Sequence, residues 1–199
     1  MDINEIKKAA MIIINGGIVV YPTDTCYGIG CDATNPVAIE KIFLIKERSK
    51  DKPLPLIASS IEMIKSYVYL DERALKLFNT FPGISVALRK KGKAIPDIVN
   101  SDKIAFRIPS NEISRKLCEF SNKPIISTSA NKSGDPSPYS IKEVKSSLKN
   151  YLDHIDLFID YGVLDKNPPS TIVDLITGEV SRVGKVTEKQ ILDLLGGKL

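Results

Sequence analysis

Tyr21-Pro-Thr-Asp-Thr-Cys-Tyr-Gly-Ile-Gly30 follows directly on the apolar run Ile18-Val-Val-Tyr21. That run is short and β-branched, so it reads as a strand, and it stops at Pro22 because proline cannot extend a central ladder. Two threonine hydroxyls, a carboxylate and two glycines come next, a composition that suits a substrate-binding turn. Further on, Lys46-Glu-Arg48 places two cations near the end of a predicted helix. Together these features suggest an anionic ligand gripped beside a hydroxyl-lined pocket.

Working outward, apolar Ile3, Ile6, Ala10, Ile13 and Ile14 recur with helical spacing, and Gly16-Gly17 closes that helix. Asn35-Pro36 reads as an N-cap and first helical residue of a helix running to about Lys46. Leu54–Ala58 reads as a strand that begins at a sheet edge because of Pro55, and helices are predicted over about 60–66 and 71–80. Ile84–Arg89 and Lys103–Ile108 alternate as strands do; Asn111 caps a helix; Pro124–Ser127 is a buried strand opening into Thr128-Ser-Ala-Asn-Lys-Ser-Gly134. A helix at about 140–149, strands at 155–160, 171–176 and 179–183, and a last helix opened by the capping box Thr187-Glu-Lys-Gln190 complete the pattern. Strands and helices interleave without strict alternation, so the fold class is α/β, a twisted mixed β-sheet flanked by helices.

Bulk properties bound the function. With 199 residues, 43% hydrophobic and 26% charged, the chain is expected to form a single domain over 1–199 with a full core. A net charge of +4 is too small to mark a nucleic-acid binder, although it permits a local basic groove. No apolar run reaches the roughly 20 residues of a membrane span, and Met1-Asp-Ile-Asn-Glu lacks the basic start of a signal peptide, so a cytoplasmic protein is expected. Cys26, Cys31 and Cys118 have no zinc spacing and read as reduced thiols. His154 is the only histidine, which excludes a multi-histidine metal site and leaves a Ser-His-Asp triad a single possible base.

Three segments carry a family resemblance: Tyr21-Pro-Thr-Asp-Thr-Cys-Tyr-Gly with Lys46-Glu-Arg48 and Lys52-Pro-Leu; Ser127-Thr-Ser-Ala-Asn-Lys-Ser-Gly134 with Pro136-Ser-Pro138; and Pro169-Ser-Thr-Ile-Val-Asp174 with Arg182-Val-Gly184. In this order they resemble the YrdC/YciO family, from about residue 5 to 197, with its K-x-R element at Lys46/Arg48 and its S-x-N element at Ser129/Asn131. The length is similar to that of the short, single-domain YrdC (TsaC) type, without the additional C-terminal domain of longer members. Two departures stand out: Pro82-Gly83-Ile84 replaces a frequent Pro-Gly-Pro, and no histidine stands near Ile57.

The resemblance implies a YrdC-like fold with a central substrate groove, and L-threonylcarbamoyladenylate synthesis from L-threonine, bicarbonate and ATP, for the t6A modification of tRNA. It implies that Lys46 and Arg48 are catalytic cations facing the triphosphate, with Arg48, Lys52, Ser129, Asn131, Ser137 and Arg182 binding ATP. It assigns Thr25, Arg107, Ser127 and Ser170 to threonine. Magnesium is expected with ATP, held by the phosphates and not by a protein metal site. Negative charge accumulating at the α-phosphate calls for fixed cations, and positioning needs no histidine base. Two alternatives stay open. One is a tRNA- or double-stranded-RNA-binding module using Arg89, Lys90, Lys91 and Lys93; the other is a YciO-like paralogue of different activity. Possible further partners are tRNA and the proteins of the transfer step, with no membrane.

Overall fold

The computed structural model describes residues 2–199. Helix α1 (Ile3–Ile14) starts where the Asp2 carboxylate accepts from the Asn4 backbone N–H, and α2 (Pro36–Ile45) starts at Asn35, whose side chain accepts from Val37 and Ala38. Asn111 caps α5 (Glu112–Ser121) in the same way, and Thr187 with Gln190 forms the reciprocal box that opens α7 (Glu188–Leu195). These caps satisfy backbone donors that a helix leaves orphaned at its first turn. The shorter α3 (Ile61–Lys65), α4 (Glu72–Thr80) and α6 (Ile141–Ser147) begin at Ser60, Asp71 and Ser140 by the same chemistry. The helix expected to reach residue 149 ends at Ser147 and passes into a 3-10 segment, Lys149–His154.

The mixed α/β architecture is as expected, with the strands divided between two sheets. The four-stranded sheet has the order β7-β2-β1-β8, and is built from β1 (Val19–Pro22), β2 (Tyr27–Gly30), β7 (Thr128–Ser129) and β8 (Leu157–Phe158). The six-stranded sheet has the order β10-β9-β4-β5-β3-β6, from β3 (Leu56–Ile57), β4 (Ser85–Arg89), β5 (Lys103–Arg107), β6 (Ile125–Ile126), β9 (Ile172–Asp174) and β10 (Glu179–Arg182). Strand β1 includes Pro22, opposite Tyr27. Its other neighbour, β8, pairs only with Val19 and Val20, so the missing proline N–H leaves no gap in that ladder.

Two strand expectations need correction. The segment expected to begin at an edge, 54–58, contributes only Leu56–Ile57, and it lies inside the sheet between β5 and β6. Pro55 precedes the ladder, and its carbonyl accepts from Ser127 N at 3.0 Å, so no donor is missed. The strand expected over 124–127 ends at Ile126; the chain then turns at Ser127 and re-enters the other sheet as β7.

Both faces of the four-stranded sheet are covered. Ile18 and Val20 point into the larger core with Ile39, Ile42 and Phe106, while Val19 and Tyr21 pack with Ile6, Ile13 and Leu117 of α1 and α5. The period-two alternation of a strand thus sends one continuous apolar run into two cores.

The two sheets approach closely at Gly30. A Cβ there would lie 2.2 Å from the Ile126 carbonyl oxygen and 2.9 Å from Ile125 Cγ2. A Gly30→Ala variant is therefore expected to lose roughly 1–3 kcal/mol through overpacking. Urea unfolding checks this: the midpoint falls, and an unchanged midpoint would mean that the sheets separate freely at this contact.

Candidate active site

One row of residues runs across five strands of the six-stranded sheet. Ile57 of β3 pairs with Arg107 of β5, Arg107 with Ser85 of β4, Ser85 with Ile172 of β9, and Ile172 with Arg182 of β10. All five line a single cleft of about 220 Å³. The four-stranded sheet supplies the facing wall with Thr23, Thr25 and Cys26 of the β1–β2 turn, Gly28, and Thr128-Ser129. Ser137, Tyr139 and, from the loop after β8, Asn167, Pro169 and Ser170 add to the lining. The result is a hydroxyl-rich cleft with two guanidinium groups and, among the described residues, no carboxylate in its lining.

The cations are held differently. Arg107 is 7% exposed and donates from Nη1 to Asp24 Oδ1 at 2.9 Å, while Ser110 Oγ donates to Asp24 Oδ2 at 3.2 Å. Arg182 makes neutral contacts, from Nε to the Ser170 carbonyl and from Nη2 to Ser170 Oγ, both at 2.9 Å. Ser170 Oγ in turn lies 3.2 Å from Ser85 Oγ. Burial lowers the Arg182 pKa, and the nearby positive charge of Arg107 lowers it further. With two guanidiniums and a carboxylate on only one of them, the cleft carries excess positive charge and favours an anionic ligand. Burial raises the pKa of the Cys26 thiol, against opposing hydrogen bonds from Thr25 and Ser137, so it stays protonated and is a poor nucleophile.

Of the residues singled out from sequence, Thr25, Arg107, Ser127, Ser170, Ser129, Ser137 and Arg182 line the cleft together. Lys46, Arg48, Lys52 and Asn131 do not. Arg48 folds back onto its own loop, donating to the carbonyls of Lys52 (3.2 Å) and Pro53 (2.9 Å), and Lys52 is exposed.

Lys46, expected as a cation facing a triphosphate, is buried and fully engaged by the protein. It is 1% exposed, and Nζ donates to Ser129 O at 2.5 Å, Asn131 O at 2.7 Å and Asn131 Oδ1 at 3.3 Å. Asn131 Oδ1 also accepts from Ser129 Oγ at 2.6 Å, and its Nδ2 donates to Asp135 O and Pro136 O. Lys46 and the S-x-N element are thus one network: the ammonium at the end of α2 ties down the loop that leaves the cleft wall at Ser129. Burial pushes the Lys46 pKa down to about 7, with Arg48 adding to the effect.

Other residues that line the cleft escaped sequence reasoning. Ser85 had a signal, a polar residue at a buried position of an alternating strand; Tyr139 and Asn167 lie in loops and had none. The Asp24–Arg107 pair joins residues far apart in the chain. His154 is exposed. In the basic cluster, Lys90 turns inward to pair with Asp97, leaving Arg89, Lys91 and Lys93 in solvent.

A two-sheet α/β fold with an anion-favouring, hydroxyl-lined cleft between its sheets is the framework of a protein that binds a small anionic ligand. The chain belongs to the Sua5/YciO/YrdC family, whose model, described as "Telomere recombination", matches residues 11–184. A Methanocaldococcus jannaschii relative, provisionally named threonylcarbamoyl-AMP synthase, is 40% identical over 164 residues, covering 82% of this chain and 76% of its own length. The threonylcarbamoyl-AMP synthase of Pseudoalteromonas translucida is 33% identical over 188 residues, covering 91% of this chain and 98% of that protein. Sua5 of P. abyssi, solved in complex with L-threonine, superposes with a TM-score of 0.87 at 32% identity over 97% of this chain. The chain spans 58% of that Sua5 chain. Among the described residues, no helix is long and apolar enough to cross a membrane.

The Lys46 network makes a pH-dependent prediction. Lys46→Met leaves two buried carbonyls and an amide oxygen without their donor, a loss of about 1–3 kcal/mol for a buried polar group deprived of its partner. The folded pKa lies below the unfolded value, so between about 7 and 10.5 the unfolded chain binds the extra proton, and this group's contribution to stability rises with pH. Melting curves across that window should show the variant destabilised throughout and lacking this rising component. A melting temperature equal to that of the parent protein would mean that the Lys46 network does not hold the loop.

Proposed function

We propose that this protein is an L-threonylcarbamoyladenylate synthase, converting L-threonine, bicarbonate and ATP to threonylcarbamoyl-AMP, pyrophosphate and water. The observation that carries the reading is the buried Arg107 guanidinium, aimed into a hydroxyl-lined cleft in a fold that matches a threonine-bound Sua5. The amine nitrogen of threonine bonds to the bicarbonate carbon with loss of water. A carbamate oxygen then attacks the α-phosphorus while the bond to the β-phosphate oxygen breaks and pyrophosphate leaves.

In this reading the N–H groups of Arg107 not used by Asp24 bind the threonine carboxylate, with Thr25, Ser127 and Ser170 around the rest of the amino acid. Ser129, Ser137 and Arg182 bind the nucleotide. Lys46 and Asn131 serve it by shaping the Ser129 loop. Arg48 and Lys52 stand outside the lining and meet the triphosphate where it leaves the cleft. Two fixed guanidiniums in a partly desolvated site stabilise charge developing at the α-phosphate. The lining offers no carboxylate cage for magnesium, which would enter on the phosphates of ATP. The product is an activated acyl-adenylate, and the enzymes that consume it transfer the threonylcarbamoyl group to adenosine in tRNA.

Pyrophosphate release should require ATP, threonine and bicarbonate together, with threonylcarbamoyl-AMP visible by mass spectrometry. Equal release with threonine or bicarbonate omitted would make the protein an ATP pyrophosphohydrolase. Turnover with another amino acid alone would make it a paralogue of different activity. Arg107→Ala should weaken threonine binding by roughly 1.5–3 kcal/mol, the worth of a charged hydrogen bond. ATP affinity measured without threonine should stay near that of the parent protein, and isothermal titration of each ligand separates the two.

A further inference from the structure

Asp24, the acid of the Pro22-Thr-Asp-Thr25 turn, has no part in the reaction as written, yet the structure holds it on several sides. Its Oδ1 accepts from Arg107 Nη1 at 2.9 Å and its Oδ2 from Ser110 Oγ at 3.2 Å. Its backbone carbonyl accepts from Asn167 Nδ2 at 3.2 Å. Gly83, at φ +82°, packs against the same carboxylate, and a Cβ there would lie 2.8 Å from Asp24 Oδ2. A side chain at 83 would therefore meet two obstacles, a left-handed backbone and the Asp24 carboxylate.

We infer that Asp24 is a positioning residue for Arg107, fixing the tilt of the guanidinium so that its remaining N–H groups face the amino-acid carboxylate. The inference rests on the reading of Arg107 as the carboxylate-binding group. A guanidinium has five N–H donors, and Asp24 takes one of them. The others have no protein acceptor among the described residues, and none is a sealed, unsatisfied atom; they open onto the cleft. An arginine without such an anchor has a long, rotamer-rich side chain to order when ligand binds. Arg182, the other guanidinium of the lining, repels it. The Asp24 charge offsets that repulsion and reaches Arg107 from the opposite sheet, so the guanidinium is fixed relative to both walls of the cleft.

A carboxylate that merely tied the sheets together would act on both ligands alike. Asp24→Ala and Asp24→Asn separate the two roles when L-threonine and ATP are titrated individually and melting is followed in parallel. Asp24→Ala is expected to weaken threonine binding roughly tenfold or more, as misplacement of a binding group does, with ATP affinity unchanged. Asp24→Asn keeps an oxygen acceptor for Nη1 and should restore part of the threonine affinity. If the alanine variant does not fold, the asparagine variant carries the measurement, with a smaller threonine-specific loss. Threonine affinity equal to that of the parent in a folded variant overturns the inference. So does a loss shared equally by ATP, or failure of both variants to fold. A parent protein that binds no threonine overturns the role of Arg107 as well, whereas a parent that binds it and variants that do not differ overturn only the role of Asp24.

Discussion

The structure depends on the passage of the chain from one sheet to the other at a single residue, Ser127. The Ile126 N–H donates to Cys31 O at 2.9 Å, Ser127 N donates to Pro55 O at 3.0 Å, and Ala130 N donates to Tyr27 O at 2.8 Å. Three successive parts of one short segment are thereby fixed to three different parts of the molecule. The crossing is possible because Gly30 has no side chain to keep the Ile126 carbonyl away. The cleft lies where the two sheets part beyond this junction, so its shape follows from how closely the backbones approach.

A buried ammonium is costly to desolvate unless its protons are received. Lys46 has three oxygen acceptors within hydrogen-bonding distance for its three N–H groups, all from Ser129 and Asn131. Two effects oppose each other here: burial favours the neutral amine, while the acceptors favour the ammonium that orders the loop. Arg107 solves the same problem with one carboxylate and open donors, and Arg182 with a carbonyl and a hydroxyl. The three cations near the cleft thus differ in how much of their hydrogen-bonding capacity remains for a ligand. Lys46 has the least and Arg107 the most.

Sequence carried the helices well, because caps such as Asn35, Asn111 and Thr187 are local chemistry that can be read within four residues. It also brought together most of the hydroxyls and both arginines of the cleft, through motif order. It missed the interior position of β3, because two residues give no periodicity and Pro55 points to an edge. The burial of Lys46 was hidden for a related reason: its acceptors lie more than eighty positions away, and most of them are backbone carbonyls. The division into two sheets was equally unreadable, since a crossover of one residue leaves no turn signature.

The cleft floor is one register line across five strands, and in a strand the next residue faces the other way. If β5 slid by one position, Phe106 would face the cleft and Arg107 the core. No intermediate placement gives half of the site. A slip of register should therefore lower the number of competent molecules in a preparation and leave the affinity of each correctly registered molecule intact.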